Sequence, residues 1–268
     1  MKFQQGKLNL TEQEDMYYVS FGNGSRNLVV IPGLGDGLAT VHKKGFILSK
    51  YYKKFSNDFT IHVLSRKNQL VEGYTTREMA LDYKKAMDVL NIDKASVYGV
   101  SQGGMIAQYL AIDYPESIEK LVLAITISRP NDTLENVITS WIGMAKSGSF
   151  GDLVEDTMEK TYTHKQFKKY RFVMPLLRKM VKPKSTERFI IQANACLSHN
   201  AYDELNKIKC KTLIIGGDTD HVVGKNSSED MAGVIDNNIL KIYEGQGHGA
   251  YEEIKTFNDE VISFLVNE

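Results

Sequence analysis

The chain has 268 residues, 42% hydrophobic and 25% charged, with 33 basic and 33 acidic side chains and a formal net charge of zero. That composition suits one large globular domain, or a domain with an insert, and the balanced charge offers no field for nucleic acid. No apolar run approaches the ~18 residues of a membrane span, the opening Met1–Lys7 lacks the apolar stretch of a secretory signal, and two free thiols, Cys196 and Cys210, without metal-type spacing point to a reducing cytoplasm.

Two alternating segments, Lys2–Leu10 and Asp15–Phe21, read as antiparallel strands joined by the polar turn Thr11–Glu14. Leu28–Ile31 is a continuous apolar run, as in a strand buried on both faces. It ends in Pro32-Gly33-Leu34-Gly35-Asp36-Gly37, too rich in glycine for regular structure. A helix is expected through Ile47 to Tyr52 and a strand over Phe59–Leu64. Thr75-Thr76-Arg77-Glu78 forms a capping box, followed by Met79, Tyr83, Met87 and Leu90 at helical spacing.

Ala95–Gly99 then predicts a strand, Gln102–Tyr114 a helix stopped by Pro115, and Leu121–Ile127 another strand. From Ser128 to about Lys207 no β-like run occurs, and several inserted helices are expected. Alternation resumes with a strand at Lys211–Gly216, a helix around Ser227–Ile235, a strand at Ile239–Tyr243 and a terminal helix over Tyr251–Val266. Strand–helix alternation predicts an α/β class with a mostly parallel sheet and helices on both faces. The domain expectation is a core over 1–127 and 208–268 with a helical cap over 128–207.

The motif with most chemical content is Gly99-Val100-Ser101-Gln102-Gly103, G-x-S-x-G between a strand and a helix. This is a nucleophile elbow, in which a strained turn stands the serine Oγ free at the sheet edge. Serine is a weak nucleophile and needs a base, and the base needs an orienting acid. Gly247-His248-Gly249 follows the last strand, and its glycines let the loop bring His248 over the sheet edge. Gly216-Gly217-Asp218-Thr219-Asp220-His221 offers two candidate acids, Asp218 and Asp220. The adjacent His221 is read as structural or solvent-facing. The oxyanion of an acyl-transfer intermediate needs two N–H donors. One is the Gln102 N–H, next after the nucleophile; Leu34, in the Gly33–Gly37 loop, is assigned the other. A phosphate cradle would use the same kind of loop, but the Lys-Ser/Thr of a P-loop and the G-x-G-x-x-G of a dinucleotide site are missing.

Taken together, Pro32-Gly33-Leu34-Gly35, Gly99–Gly103, Gly217-Asp218-Thr219-Asp220 and Gly247-His248 through Glu252 resemble the α/β-hydrolase superfamily. The likeness spans nearly the whole chain. It implies a largely eight-stranded sheet with a cap inserted after the strand that follows the elbow helix. Its G-x-x-D spacing selects Asp220 as the acid. Two departures stand out: Pro32-Gly33 where many relatives have His-Gly, and Gly224 where many have proline after the acid. The serine at the elbow argues against dehalogenase-like chemistry, which uses aspartate there.

Within the expected cap, Lys165–Lys184 carries eight Lys or Arg and no Asp or Glu. It reads as a solvated amphipathic face, or as a lid that attracts anionic substrates or a lipid surface. Pro175 is expected to kink or end a helix. Trp141, Met144 and Phe150 are candidates to line an apolar acyl pocket. The expectation is a cytoplasmic serine hydrolase with Ser101, Asp220 and His248, acting on a small-to-medium carboxylic ester, with no metal or organic cofactor. Same-fold alternatives are a C–C bond hydrolase, a thioesterase or a cofactor-free peroxidase-type enzyme. A ligand receptor that keeps the triad is the non-catalytic alternative. The sequence leaves the oligomeric state open.

Overall fold

The structure is a computed structural model that describes residues 2–180 and 185–267. Eight strands form one sheet: β1 (Phe3–Asn9), β2 (Asp15–Gly22), β3 (Arg26–Ile31), β4 (Phe59–Lys67), β5 (Ala95–Val100), β6 (Ile118–Ala124), β7 (Lys211–Gly217) and β8 (Asn238–Tyr243). Their order is β1-β2-β4-β3-β5-β6-β7-β8. The β1–β2 and β2–β4 pairings are antiparallel and the other five are parallel. The eight-stranded, mostly parallel sheet expected from the sequence is therefore present.

Helices cover both faces, as the continuous apolar strands demand. On one face α2 (Thr76–Val89) and α3 (Gln102–Asp113) bury Met79, Tyr83, Ile106 and Leu110 against β3, β5 and β6. The capping box that opens α2 forms as read: Thr75 accepts from the Glu78 N–H, and the Glu78 carboxylate accepts from the Thr75 N–H. On the other face α1 (Gly45–Tyr51) and the last helix, α11 (Phe257–Val266), pack Leu48, Phe257, Val261 and Leu265 on Phe59, Tyr98 and Val122.

Between β6 and β7 the described residues form five α-helices: α4 (Asp132–Lys146), α5 (Phe150–Thr161), α6 (His164–Tyr170), α7 (Met174–Met180) and α8 (Glu187–Leu197). The apolar faces of α4, α5 and α8 meet the C-terminal edge of the sheet. Leu134, Trp141, Ile142, Leu153, Phe189 and Cys196 cluster there with Leu34, Met105 and Val223. A short α9 (Ser227–Ala232) follows β7.

Several boundaries differ from the sequence expectation. β6 covers Ile118–Ala124, not Leu121–Ile127, because Ile125 turns into positive φ (45°) and its N–H bonds the β7 carbonyl of Ile215 at 2.7 Å. The terminal helix is two pieces, α10 (Ala250–Glu253) and α11, with Ile254 in extended backbone between them. Pro175 neither kinks nor ends a helix. It sits in the first turn of α7, where its missing N–H has no intrahelical partner to lose. Lys182 and Lys184 of the basic run, with Val181, lie outside the described residues. No described helix is long and apolar enough to cross a membrane.

Candidate active site

The elbow is built by close approach. Ser101 has φ 53° and ψ −122°, a strained state for a residue with a side chain, between β5 and α3. Its N–H donates to the Ala124 carbonyl of β6 at 2.9 Å, and Thr126 Oγ1 donates to its carbonyl at 2.7 Å. The two motif glycines are there for space. A Cβ on Gly99 would stand 2.5 Å from the Gly103 carbonyl oxygen, and one on Gly103 only 2.0 Å from that of Ile31.

The sequence-selected residues converge. Ser101 Oγ lies 3.0 Å from His248 Nε2, and His248 Nδ1 lies 2.8 Å from Asp220 Oδ2. With the proton on Nδ1 donating to the carboxylate, Nε2 is left to accept from the serine hydroxyl. The other oxygen of Asp220 accepts from the Val222 and Val223 N–H groups at 2.7 and 2.9 Å. Asp220 and His248 are 4% and 7% exposed, so this relay runs where water does not compete. Asp218 is elsewhere: its Oδ1 accepts from the Gly245 N–H at 2.7 Å and so holds the turn after β8. His221 is exposed.

A second serine–histidine contact provides a useful contrast. Ser20 Oγ lies 2.9 Å from His62 Nδ1 across β2 and β4, and burial pushes His62 down to about 4. That imidazole is a poor base at neutral pH, and Ser20 sits within a regular strand rather than on a strained turn.

Leu34 and Gln102 each occupy the first position of a helix, Leu34 in the short 3-10 turn Leu34–Gly37 and Gln102 in α3. N–H groups there have no intrahelical partner. Gly33 brings that turn against Ser101: a Cβ on it would lie 3.4 Å from Ser101 Cβ and 3.9 Å from Ser101 Oγ. Of the three acyl-pocket candidates, Trp141 and Met144 join the apolar cluster that contains Leu34, with Trp141 Nε1 donating to Asp156 at 2.7 Å. Phe150 stands half-buried at the start of α5, outside that cluster.

Sequence reasoning missed the polar side chains that brace these loops. Asn131 accepts from the Leu134 N–H at the start of α4 and donates to the Val223 carbonyl at 2.8 Å. It thereby steadies the loop that follows Asp220. Gly224, at φ +83°, could not be proline. Glu253 accepts from the Thr163 N–H at 2.8 Å and the Thr163 hydroxyl at 2.6 Å, tying α10 to the start of α6. An N-cap asparagine ahead of α4 was a legible signal; the partner of Glu253, 90 residues away in sequence, was not.

A sequence model of the alpha/beta hydrolase fold matches residues 28–253, from β3 through the loop that carries His248 to the end of α10. The chain belongs to the α/β-hydrolase fold family. Among its relatives, the "Putative carbamate hydrolase RutD" of Caulobacter vibrioides is 27% identical over 209 residues, 74% of either chain. The 3-oxoadipate enol-lactonase 2 of Acinetobacter baylyi is 21% identical over 260 residues, 95% of either chain. Among solved structures, MGS-M2, an α/β hydrolase from a Medee basin deep-sea metagenome library, superposes with a TM-score of 0.86. It covers 98% of both chains at 21% identity. At that identity the likeness of this α/β hydrolase carries the fold alone.

Proposed function

We propose that this hydrolase is a serine esterase that cleaves a small-to-medium carboxylic ester through an acyl-enzyme. The observation that carries the proposal is the continuous relay from the Val222 and Val223 N–H groups through Asp220 and His248 to a serine on a strained turn.

In this mechanism His248 Nε2 takes the Ser101 proton as Oγ attacks the ester carbonyl. Asp220 orients the ring and stabilises the imidazolium, and its second oxygen, held by two N–H groups, keeps the carboxylate fixed. The N–H groups of Leu34 and Gln102 receive the oxyanion, preorganised because neither has a helical partner. His248 then gives the proton to the leaving alcohol, and in the second half it activates water against the acyl-Ser101 ester.

The helices over 128–207 would act as the cap. Their apolar cluster around Leu34, Trp141 and Met144 favours an uncharged, apolar acyl group beside the serine. The named relatives fit this chemistry in part, since an enol-lactone is an internal ester. The proposed setting is the cytoplasm, on the strength of two unpaired thiols.

The test is turnover of a panel of nitrophenyl esters, thioesters and lactones of graded acyl length, run beside fluorophosphonate labelling. The proposal expects ester turnover and a single modified residue, Ser101. An unlabelled Ser101, or labelling at another residue, would overturn it.

A further inference from the structure

Arg66, near the end of β4, is among the largest fully buried side chains, at 1% exposure. Among the described residues no carboxylate lies within ion-pair distance of its guanidinium. The neighbouring acid, Asp36, pairs instead with Arg188 Nη2 at 2.8 Å and accepts from the Arg66 backbone N–H at 3.1 Å. Burial pushes the Asp36 carboxyl up, but the Arg66 and Arg188 charges, together with hydrogen bonds from Ser65 and the Arg66 N–H, hold it below the usual carboxylate value. One anion thus faces two guanidinium groups, and the seam between β4 and α8 carries excess positive charge.

The contacts of this guanidinium are specific. Nη2 donates to Gln102 Oε1 at 2.8 Å, while Nε and Nη1 have no hydrogen-bond partner among the described residues. The Gln102 amide continues the chain from its other end. Nε2 donates to the Gln192 carbonyl at 2.6 Å and approaches Cys196 Sγ at 3.2 Å, both on α8. Gln102 is itself 1% exposed. A buried cation without its own carboxylate is costly, and a neutral chain of similar length would fill the same space without that cost. Position in the fold supplies a reason to keep it: the residue that Arg66 holds is the one that follows Ser101.

We propose that Arg66 is a positioning residue for the oxyanion hole, clamping the Gln102 side chain between β4 and α8 and setting a buried positive charge beside it. This rests on the serine-hydrolase reading above. Negative charge appears on the carbonyl oxygen only as Ser101 attacks. A fixed positive potential in a dry site therefore favours the transition state over the bound ester. Its effect belongs in kcat rather than KM.

The experiment compares Arg66→Met, Arg66→Lys and Gln102→Met with wild type. The readouts are kcat and KM for a neutral nitrophenyl ester, the rate of Ser101 modification by a fluorophosphonate, and the thermal midpoint. Arg66→Met should lower kcat and the modification rate on the order of 10- to 100-fold, with KM within about two-fold of wild type. It should remain folded under assay conditions, because the cost of leaving Gln102 Oε1 without its donor is offset by the relief of a buried charge. Arg66→Lys should recover most of the lost rate. Gln102→Met, which keeps Arg66 but cuts its link to α8, should also lower kcat at unchanged KM. It serves as the test should Arg66→Met fail to fold.

A rise in KM at constant kcat, a rate loss that only follows loss of folded protein, or a lysine variant no better than methionine would each overturn the proposal. If wild type neither turns over the ester nor reacts with the fluorophosphonate, the serine-hydrolase reading fails and takes this one with it. If wild type reacts and Arg66→Met reacts equally fast, only the role of Arg66 is lost.

Discussion

The Gly249 N–H, one residue beyond His248, donates to the carbonyl of Thr161 at 2.6 Å. Thr161 closes α5, so the helical segment between β6 and β7 rests directly on the loop that carries the histidine. There is no slack in the contact, for a Cβ on Gly249 would lie 2.8 Å from that same oxygen. At the opposite side α8 holds the Gln102 side chain, one residue beyond Ser101. The segment is thus fastened beside two of the three residues proposed to carry the reaction. Any movement of these helices that widens the site must exchange those bonds for water.

Ser101→Ala should leave the fold intact and the enzyme nearly inactive. The hydroxyl is half-buried and its loss opens little space, so thermal unfolding should move by only a few degrees. Removal of a triad nucleophile typically costs several orders of magnitude in rate. Circular dichroism, ester turnover and fluorophosphonate labelling check this together. Wild-type-like turnover by the alanine variant would sink the assignment.

The two aspartates of the acid loop should behave differently. Asp220 accepts from His248 Nδ1, whereas the Asp218 carboxylate accepts from the Gly245 N–H. Asp220→Asn should cut kcat by about four orders of magnitude, since an amide presents the wrong partner to the ring. Asp218→Asn should change kcat by less than about ten-fold and act mainly on the stability of the β7–β8 turn. A reversed ranking in steady-state kinetics would move the acid to Asp218.

This pair also marks where sequence reading reaches its limit. Both aspartates are loop residues after a buried strand, and no local pattern separates them. Family spacing chose Asp220, and it is Asp220 that lies against His248. The sheet was legible because its strands are short apolar runs punctuated by glycine and proline, which is a local property. Elements fixed by distant partners were not. β6 stops at Ala124 because Ile125 is captured by β7, and the last helix breaks after Glu253, whose carboxylate is engaged by Thr163. Nothing local marks Arg66, two residues beyond the expected strand Phe59–Leu64, since burial of a guanidinium is decided by the helices that later cover it.

Glu253→Gln should loosen the link between α10 and α6 without touching the reacting groups. It weakens two hydrogen bonds that end on one carboxylate, one from the Thr163 N–H and one from its hydroxyl. A charge-assisted bond to a half-buried group is worth about 1–2 kcal/mol. For a chain of this size that corresponds to a fall in thermal midpoint of roughly 2–6 °C. An unchanged midpoint by calorimetry would show that the link contributes nothing.

Part of the acid sensitivity should be traceable to His199, beside the share of His62, which burial holds down to about 4. His199 is 1% exposed, with Nδ1 2.9 Å from Thr76 Oγ1, and burial pushes its pKa from 6.5 down to about 3. The folded state therefore holds this ring neutral while the unfolded chain protonates it. Stability from this site is complete above about pH 6.5 and is lost progressively as pH falls toward 3. The slope within that window is at most about 1.4 kcal/mol per pH unit for one site. His199→Asn should flatten the fall in urea midpoint between pH 6 and 4, whatever its effect at pH 8, at about the pH resolution this linkage allows. If both proteins lose stability in parallel across that range, His199 is not responsible.

The basic run of the helical segment makes a separable prediction about encounter with substrate. Its charges are not equivalent. Arg178 is committed to Asp152 and Glu155 of α5, whereas Lys165, Lys168 and Arg171 are exposed, as is Phe172 at 93%. Exposed charges act over about a Debye length, ~10 Å at 0.1 M salt, and act mainly on association. If the exposed part of the run guides anionic esters, kcat/KM for a carboxylated ester should fall several-fold as salt rises from about 0.02 to about 0.2 M. That for a neutral ester of the same length should barely change. Replacing Lys165, Lys168 and Arg171 by Gln should bring the low-salt value down to the high-salt one and leave kcat alone, because none of these side chains belongs to the relay around Ser101. Equal salt dependence for the two esters would return these residues to a solvated helix face.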